Sequence, residues 1–346
     1  MRHLLDLDDP TLAMWMAERE LPRYRVRQVR GWIHRRRVED FQSMSDLPLA
    51  LRQELTDEFR LWSSEIVAVR EAADGTEKLL LGLADGGRIE CVLLRDGIRR
   101  TICISSQVGC AMGCVFCASG LDGVDRNLTT GEIVEQMLLL QRRLPVDERL
   151  SHIVVMGMGE PLANLERLIP ALDLACEADG LAISPRRITI STVGLPPAIV
   201  RLADERPRYH LAVSLHAPND ELRNELVPIN RAIGLDRVLE AADYYFEKSG
   251  RRLTYEYVLL AEVNDGQEHA RELAGRLRGR PALINVIPYN PVEGLPYRTP
   301  TERAQRRFRE ILEQRGLTVQ FRQRKGDAIS AACGQLRRRP TAQEGM

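Results

Sequence analysis

The chain has 346 residues, 44% hydrophobic and 28% charged, an ordinary globular balance that excludes a wholly disordered chain. Its 49 basic and 49 acidic side chains cancel, so a polyanionic partner can be argued only from local clusters. No run of eighteen apolar residues occurs, and MRHLLDLDDP turns acidic too soon for a signal peptide, so a cytoplasmic enzyme is the expectation.

Residues 1–62 read as a helical module. Leu12-Ala-Met-Trp-Met and Val26 to Ile33 carry apolar residues at helical spacing, and Asp46-Leu-Pro resembles a cap with proline near a first turn. Residues 63–98 shorten into strand-length pieces, Glu65-Ile-Val-Ala-Val, Lys78-Leu-Leu-Leu and Ile89-Glu-Cys-Val-Leu-Leu. Asp74-Gly75 and Asp85-Gly86-Gly87 separate them as hairpin turns, so a small antiparallel β module is expected.

From 99 to 335 strands and helices alternate. Strands are predicted over 100–106, 152–156, 187–191, 210–215, 253–260, 283–287 and 318–322, with helices near 163–178, 234–248, 267–278 and 301–315. A further helix opens on the capping box Thr129-Thr-Gly-Glu132. Repeated β-α units imply a parallel α/β sheet or barrel, with its chemistry where strands end. Those positions carry small and polar groups: Gly157-Met-Gly-Glu160-Pro161, Ser191-Thr-Val-Gly194, Ser214-Leu-His216 and Ile287-Pro-Tyr-Asn290. The tail, 336–346, is expected to be loose.

Seven cysteines in a chain without a secretion signal do not form a disulfide framework. Cys110, Cys114 and Cys117 crowd into eight residues, which points to a metal site. Structural zinc and ordinary iron–sulfur clusters take four protein ligands, so three on one loop leave a position open, unless Cys91, Cys103 or Cys333 supplies a fourth. Gly157-Met-Gly-Glu-Pro-Leu162 lacks the third glycine of a dinucleotide loop.

The spacing Cys-x-x-x-Cys-x-x-Cys, with Phe116 before the last cysteine, resembles the radical S-adenosylmethionine (SAM) superfamily. More specifically, Cys103-Ile-Ser-Ser-Gln-Val-Gly-Cys110, Met156-Gly-Met-Gly-Glu-Pro161, Ser214-Leu-His-Ala-Pro-Asn-Asp220, Val227-Pro-Ile-Asn230, Val263-Asn-Asp-Gly266 and Ala331-Ala-Cys-Gly-Gln335 look like the RlmN family. That resemblance implies an α/β fold, a partial (β/α) radical SAM barrel preceded by the helical and β modules. It also implies a methyltransferase acting on carbon 2 of adenine in 23S rRNA and tRNA. Its expected cofactors are one [4Fe–4S] cluster and SAM, and its expected partners are the two RNAs and an electron donor such as flavodoxin or ferredoxin, with the protein a monomer and no membrane.

By the same resemblance Cys110, Cys114 and Cys117 hold the cluster, and Gly159, Glu160, Ser191, Ser214, Leu215, His216 and Asn290 contact SAM. Cys333 is the cysteine that becomes S-methylated, Cys103 forms a transient disulfide with it, and Glu90 is the proton acceptor. The chemistry explains the need. Carbon 2 lies between two ring nitrogens and is electron-poor, so it cannot attack an electrophilic SAM methyl group; a radical route through a methylated thiol avoids that conflict. A Cfr-like enzyme methylating carbon 8 would share the cluster and both cysteines. A non-catalytic iron–sulfur RNA sensor would need no Cys333.

Residues 23–37, RYRVRQVRGWIHRRR, hold seven arginines and no acids, with Tyr24 and Trp32 interleaved. This segment, with Arg322, Arg324, Lys325 and Arg337–Arg339, is expected to flank the barrel mouth and grip RNA phosphates.

Overall fold

The computed structural model of the chain describes residues 1–322, 326 and 329–337. Arg324, Lys325, Arg338, Arg339 and the rest of the tail from 338 lie outside the described residues.

The N-terminal module comprises β1 (Arg2–His3), α1 (Asp9–Ala17), α2 (Tyr24–His34), α3 (Leu49–Glu58) and β2 (Phe59–Arg60). Asp8 caps α1 by accepting the Thr11 N–H at 2.8 Å, and Pro10 sits in the first turn, where its missing N–H costs nothing. Asp46 does not cap α3, which begins at Leu49 without a side-chain cap; its carboxylate instead takes the Trp32 indole N–H. β1 and β2 pair in parallel, and Leu12, Met16, Val29, Ile33 and Leu55 join the same hydrophobic core as the barrel.

The strands β3 (Ser64–Glu71), β4 (Glu77–Leu83) and β5 (Arg88–Asp96) follow. Their turns close because Asp74 accepts the Thr76 N–H at 2.9 Å and Asp85 the Gly87 N–H at 3.0 Å. β6 (Arg99–Cys103) leads into the short ribbon β7 (Gln107–Gly109) and β8 (Val124–Asn127), which brackets the cysteine loop. Then come α4 (Thr130–Arg142), β9 (His152–Val155), α5 (Leu165–Cys176), β10 (Ile188–Thr192), α6 (Pro196–Glu205) and β11 (His210–Ser214). The chain continues through α7 (Asp220–Leu226), α8 (Asn230–Ile233), α9 (Leu235–Ser249), β12 (Leu253–Leu259), α10 (Gln267–Arg276), β13 (Ala282–Pro288), α11 (Glu302–Gln314) and β14 (Thr318–Phe321).

One ten-stranded sheet runs β14-β13-β12-β11-β10-β9-β6-β5-β4-β3. Its neighbours from β6 through β14 pair in parallel, giving the partial barrel. The expected antiparallel strands are present, and they extend this sheet edge-on rather than stand apart. That continuity places β4 and β5 side chains beside β6 and its cysteine. α6, α7 and α8 are absent from the expected helices; α6 opens on Pro196-Pro197, and proline in a first turn suits a helix start. No helix among the described residues is long and apolar enough to cross a membrane.

The predicted capping box opens α4: Thr129 Oγ1 accepts the Glu132 N–H at 3.2 Å, and Glu132 accepts the Thr129 N–H at 2.9 Å. Thr129→Ala should therefore cost about 1 kcal/mol, read as a lower urea midpoint with an unchanged slope.

Candidate active site

Parallel strands that all end in one direction deliver their following loops to one mouth. There the loops enclose a cavity of about 150 Å³ lined by Cys110, Cys114, Cys117, Gly159, Glu160, Ser191, Ser214, His216 and Cys333. The structure thus brings together nine of the expected residues, including thiols more than two hundred positions apart in sequence. Leu215 and Asn290 lie immediately behind the wall. The Leu215 N–H donates to the Glu256 carbonyl at 3.0 Å, and Asn290 Nδ2 donates to the Cys333 carbonyl at 3.2 Å. Cys103 and Glu90 sit outside the lining, on β6 and β5.

The glycines of the loop after β9 have a packing reason. A Cβ on Gly157 would meet the Ile104 carbonyl oxygen at 2.6 Å, and Gly159 adopts a φ of +100° against Gln107. The loop therefore lies directly on the residues leading to the cysteines. Glu160 fastens it sideways, accepting the Leu162 N–H at 3.0 Å and the Val193 N–H at 2.8 Å; burial raises its pKa. His216 Nδ1 accepts the Val258 N–H at 3.0 Å, and burial, reinforced by Arg223, lowers its pKa to about 3. The ring is thus neutral at working pH with its proton on Nε2, a donor for a bound ligand.

Burial pushes the Cys110 thiol up to about 12, and raises Cys114 and Cys117 as well. Apolar surroundings favour the neutral thiols, so thiolate formation here calls for a bound metal to draw the protons off. Among the described residues no three His, Cys, Asp or Glu side chains converge on one ion position. Three thiols that rim a cavity instead suit a polynuclear group taking one sulfur per metal atom. Burial likewise pushes Cys103 up to about 12, with the nearby Cys333 adding to the rise and Arg322 opposing it. Cys91 is fully buried packing, and Cys176 packs at the edge of the main core.

Three site residues escaped the sequence reading. Arg322, expected to face RNA, turns inward: its Nη1 stands 4.0 Å from Met156 Sδ, and its charge acts on Cys333, Glu256 and Cys103. Arg223 is fully buried behind the loops after β10 and β11. Glu256 lines the cavity from β12, accepting Asn285 Nδ2 at 2.6 Å. Its signal was present as a lone carboxylate between Tyr255 and Tyr257 in an otherwise apolar strand.

Burial raises the Glu256 carboxyl from 4.5 to about 7, against the lowering effects of Arg322 and Asn285. Between those values the folded protein binds the extra proton, so this group's contribution to stability falls as pH rises through the window and is constant above it. Glu256→Gln should flatten that slope by on the order of 2 kcal/mol between pH 5 and 7, measured by urea unfolding of cluster-free protein against wild type.

The arginine segment does not flank the mouth. It forms α2 and packs at the opposite end of the barrel, where strands begin. Arg27 and Arg35 pair with Asp179, between α5 and β10. Arg37 donates to the Leu144 carbonyl at 2.8 Å, just past the end of α4. Arg30 is buried against Asp9 at 2.9 Å. These guanidinium groups satisfy carbonyls and carboxylates at helix ends, a use that composition cannot distinguish from phosphate binding.

Residues 104–274 match the radical SAM superfamily, and residues 2–61 match the ribosomal RNA large subunit methyltransferase N-terminal domain. The chain is 65% identical over 336 residues to a probable dual-specificity RNA methyltransferase RlmN of Rhodopirellula baltica, covering 97% of this chain and 91% of that one. It is 48% identical to the dual-specificity RNA methyltransferase RlmN of Halorhodospira halophila, covering 96% and 92%. Its fold superposes on the crystal structure of a radical SAM methyltransferase from Sphaerobacter thermophilus with a TM-score of 0.95, at 43% identity over 98% and 100% of the two chains.

Proposed function

Because this chain belongs to the RlmN family of radical SAM dual-specificity RNA methyltransferases, we propose that it methylates carbon 2 of adenine in 23S rRNA and in tRNA, with Cys333 carrying the methyl group. The observation that carries the methyl-carrier role is Cys333 in the same cavity as Cys110, Cys114 and Cys117, and the choice of carbon 2 rests on the family.

When bound by those three sulfurs, a [4Fe–4S] cluster supplies the electron that makes SAM a radical source. The protein's own residues do the rest. Gly159, Glu160, Ser191, Ser214 and His216 line the space for SAM, with Leu215 and Asn290 behind them, and His216 Nε2–H offers a donor. Cys333 Sγ takes a methyl group from one SAM, which leaves as S-adenosylhomocysteine; the methyl carbon gives one hydrogen atom to the deoxyadenosyl group of a second SAM, released as 5′-deoxyadenosine, and bonds to carbon 2 of the base. The ring proton then leaves to Glu90 or a thiolate. Cys103 Sγ attacks Cys333 Sγ, the sulfur–carbon bond breaks toward the base, whose freed CH2 takes up a proton to become the methyl group, and a disulfide remains, while the adduct's one unpaired electron would pass back to the bound cluster. Flavodoxin or ferredoxin would serve as the electron donor.

The test is anaerobic incubation of cluster-loaded protein with reductant, SAM and 23S rRNA or tRNA, followed by digestion and mass spectrometry. The expected products are 2-methyladenosine and 5′-deoxyadenosine. Finding 8-methyladenosine would reassign the site of attack, and absence of deoxyadenosine would remove the enzymatic reading.

A further inference from the structure

One buried ion pair joins Glu90 to a residue that the chemistry above leaves unused, Lys78. Lys78 and Glu90 are each 3% exposed, with Nζ 2.7 Å from Oε1, and Lys78 is one of three lysines in a chain with 46 arginines. Register gives the pair its place. Lys78 lies opposite Val92, and Val92 opposite Cys103, so Lys78, Val92 and Cys103 form a row on one sheet face across β4, β5 and β6. Glu90, two residues from Val92, points to the same face.

Each partner also reaches the segment bearing Cys333. Lys78 Nζ lies 3.4 Å from the Ser330 carbonyl, three residues before Cys333, and Glu90 Oε2 accepts the Arg337 N–H at 2.7 Å, four residues after it. From the other side, Asn290 Nδ2 holds the Cys333 carbonyl, and Gln335 Nε2 donates to the Pro291 carbonyl at 2.9 Å. A buried ion pair adds little net stability over an apolar pair, because desolvation offsets the attraction; its best-attested use is to fix register. A compact ammonium can bond a carboxylate and a carbonyl from one point, which a planar guanidinium fork cannot do in the same space.

We propose that the Lys78–Glu90 pair is a clasp that grips the Cys333 segment on both sides of the cysteine and holds it against the Cys103 strand, making Lys78 a positioning residue for the meeting of the two sulfurs. The proposal rests on Cys333 as methyl carrier. Lys78→Met removes the cation from Glu90 and frees the Ser330 side of the segment.

The experiment uses the full cluster-loaded chain and reads the clasp by alkylation and RNA methylation, with S-methylation as a third, separate readout. Iodoacetamide alkylation of Cys333 is followed by peptide mass spectrometry with Cys176 as internal reference, and S-methylation of Cys333 and methylation of RNA are followed separately. Lys78→Met should speed Cys333 alkylation at least 10-fold relative to Cys176 and slow RNA methylation at least 10-fold, with Lys78→Arg between it and wild type. Wild-type values for either readout would overturn the clasp, including slowed RNA methylation with unchanged Cys333 alkylation. Should Lys78→Met fail to fold, Lys78→Met/Glu90→Leu replaces the pair with apolar side chains, and its Cys333 must still alkylate faster. A wild-type protein that never gains a methyl group on Cys333 would sink the methyl-carrier reading alone, because the alkylation comparison is read independently of it.

Discussion

Cys333→Ala is expected to abolish RNA methylation, by at least about 1,000-fold, in a protein that still folds and still loads its cluster. The residue is only partly buried, and a cysteine-to-alanine change there removes one sulfur, so the structural cost should stay near 1 kcal/mol. Asn290 holds the segment through the Cys333 backbone carbonyl, a contact that alanine retains. The catalytic cost is large because the sulfur is the atom to which the transferred carbon is bonded, and no neighbouring group can take that part. Iron and sulfide analysis would show the cluster, and nucleoside mass spectrometry the lost product. Full methylation by Cys333→Ala would remove Cys333 from the reaction. Cys103→Ala separates the later step: without the attacking thiol the bond between the carrier and the base is not resolved, and a covalent protein–RNA adduct should accumulate.

Much of this was legible in the sequence for a physical reason. The β-α alternation, the Thr129 capping box and the Asp-Gly turns are local signals, and all reappear in the structure. The cysteine loop and the strand-end motifs are short enough to be read in place. What could not be read are partnerships between distant residues. Nothing local in Arg27, Arg35 or Arg37 says that Asp179 and the Leu144 carbonyl lie beside them. Arg322 belongs to an arginine-rich stretch in sequence but lies beside Cys103 and Glu256 in space. The three β strands read as a separate module became part of the working sheet, because a strand's edge says little about which partner it will find.

Arg223→Met is expected to be the most destabilising single change near the site, at about 3–5 kcal/mol. The side chain is fully buried, and burial lowers its pKa only to about 10, so it is charged at neutral pH. Its Nε donates to the Leu215 carbonyl at 3.1 Å, and Nη2 to the Ser214 carbonyl at 3.0 Å and to the Val193 carbonyl. Its Nη1 bonds Asn230 Oδ1, whose amide nitrogen donates to Asp220 and Asn224 at 2.7 Å each. One planar fork therefore ties together the end of β11, the loops after β10 and β11, and the turn into α8. Methionine fills similar volume but leaves four buried acceptors unsatisfied. The loss should appear as a lower urea midpoint in cluster-free protein, and as a raised KM for SAM in loaded protein, because Ser214 and Leu215 shape its site. Arg223→Lys keeps the charge and can satisfy only part of the set, so it should fall between the two. Wild-type stability in Arg223→Met would mean that these loops hold their places without the guanidinium.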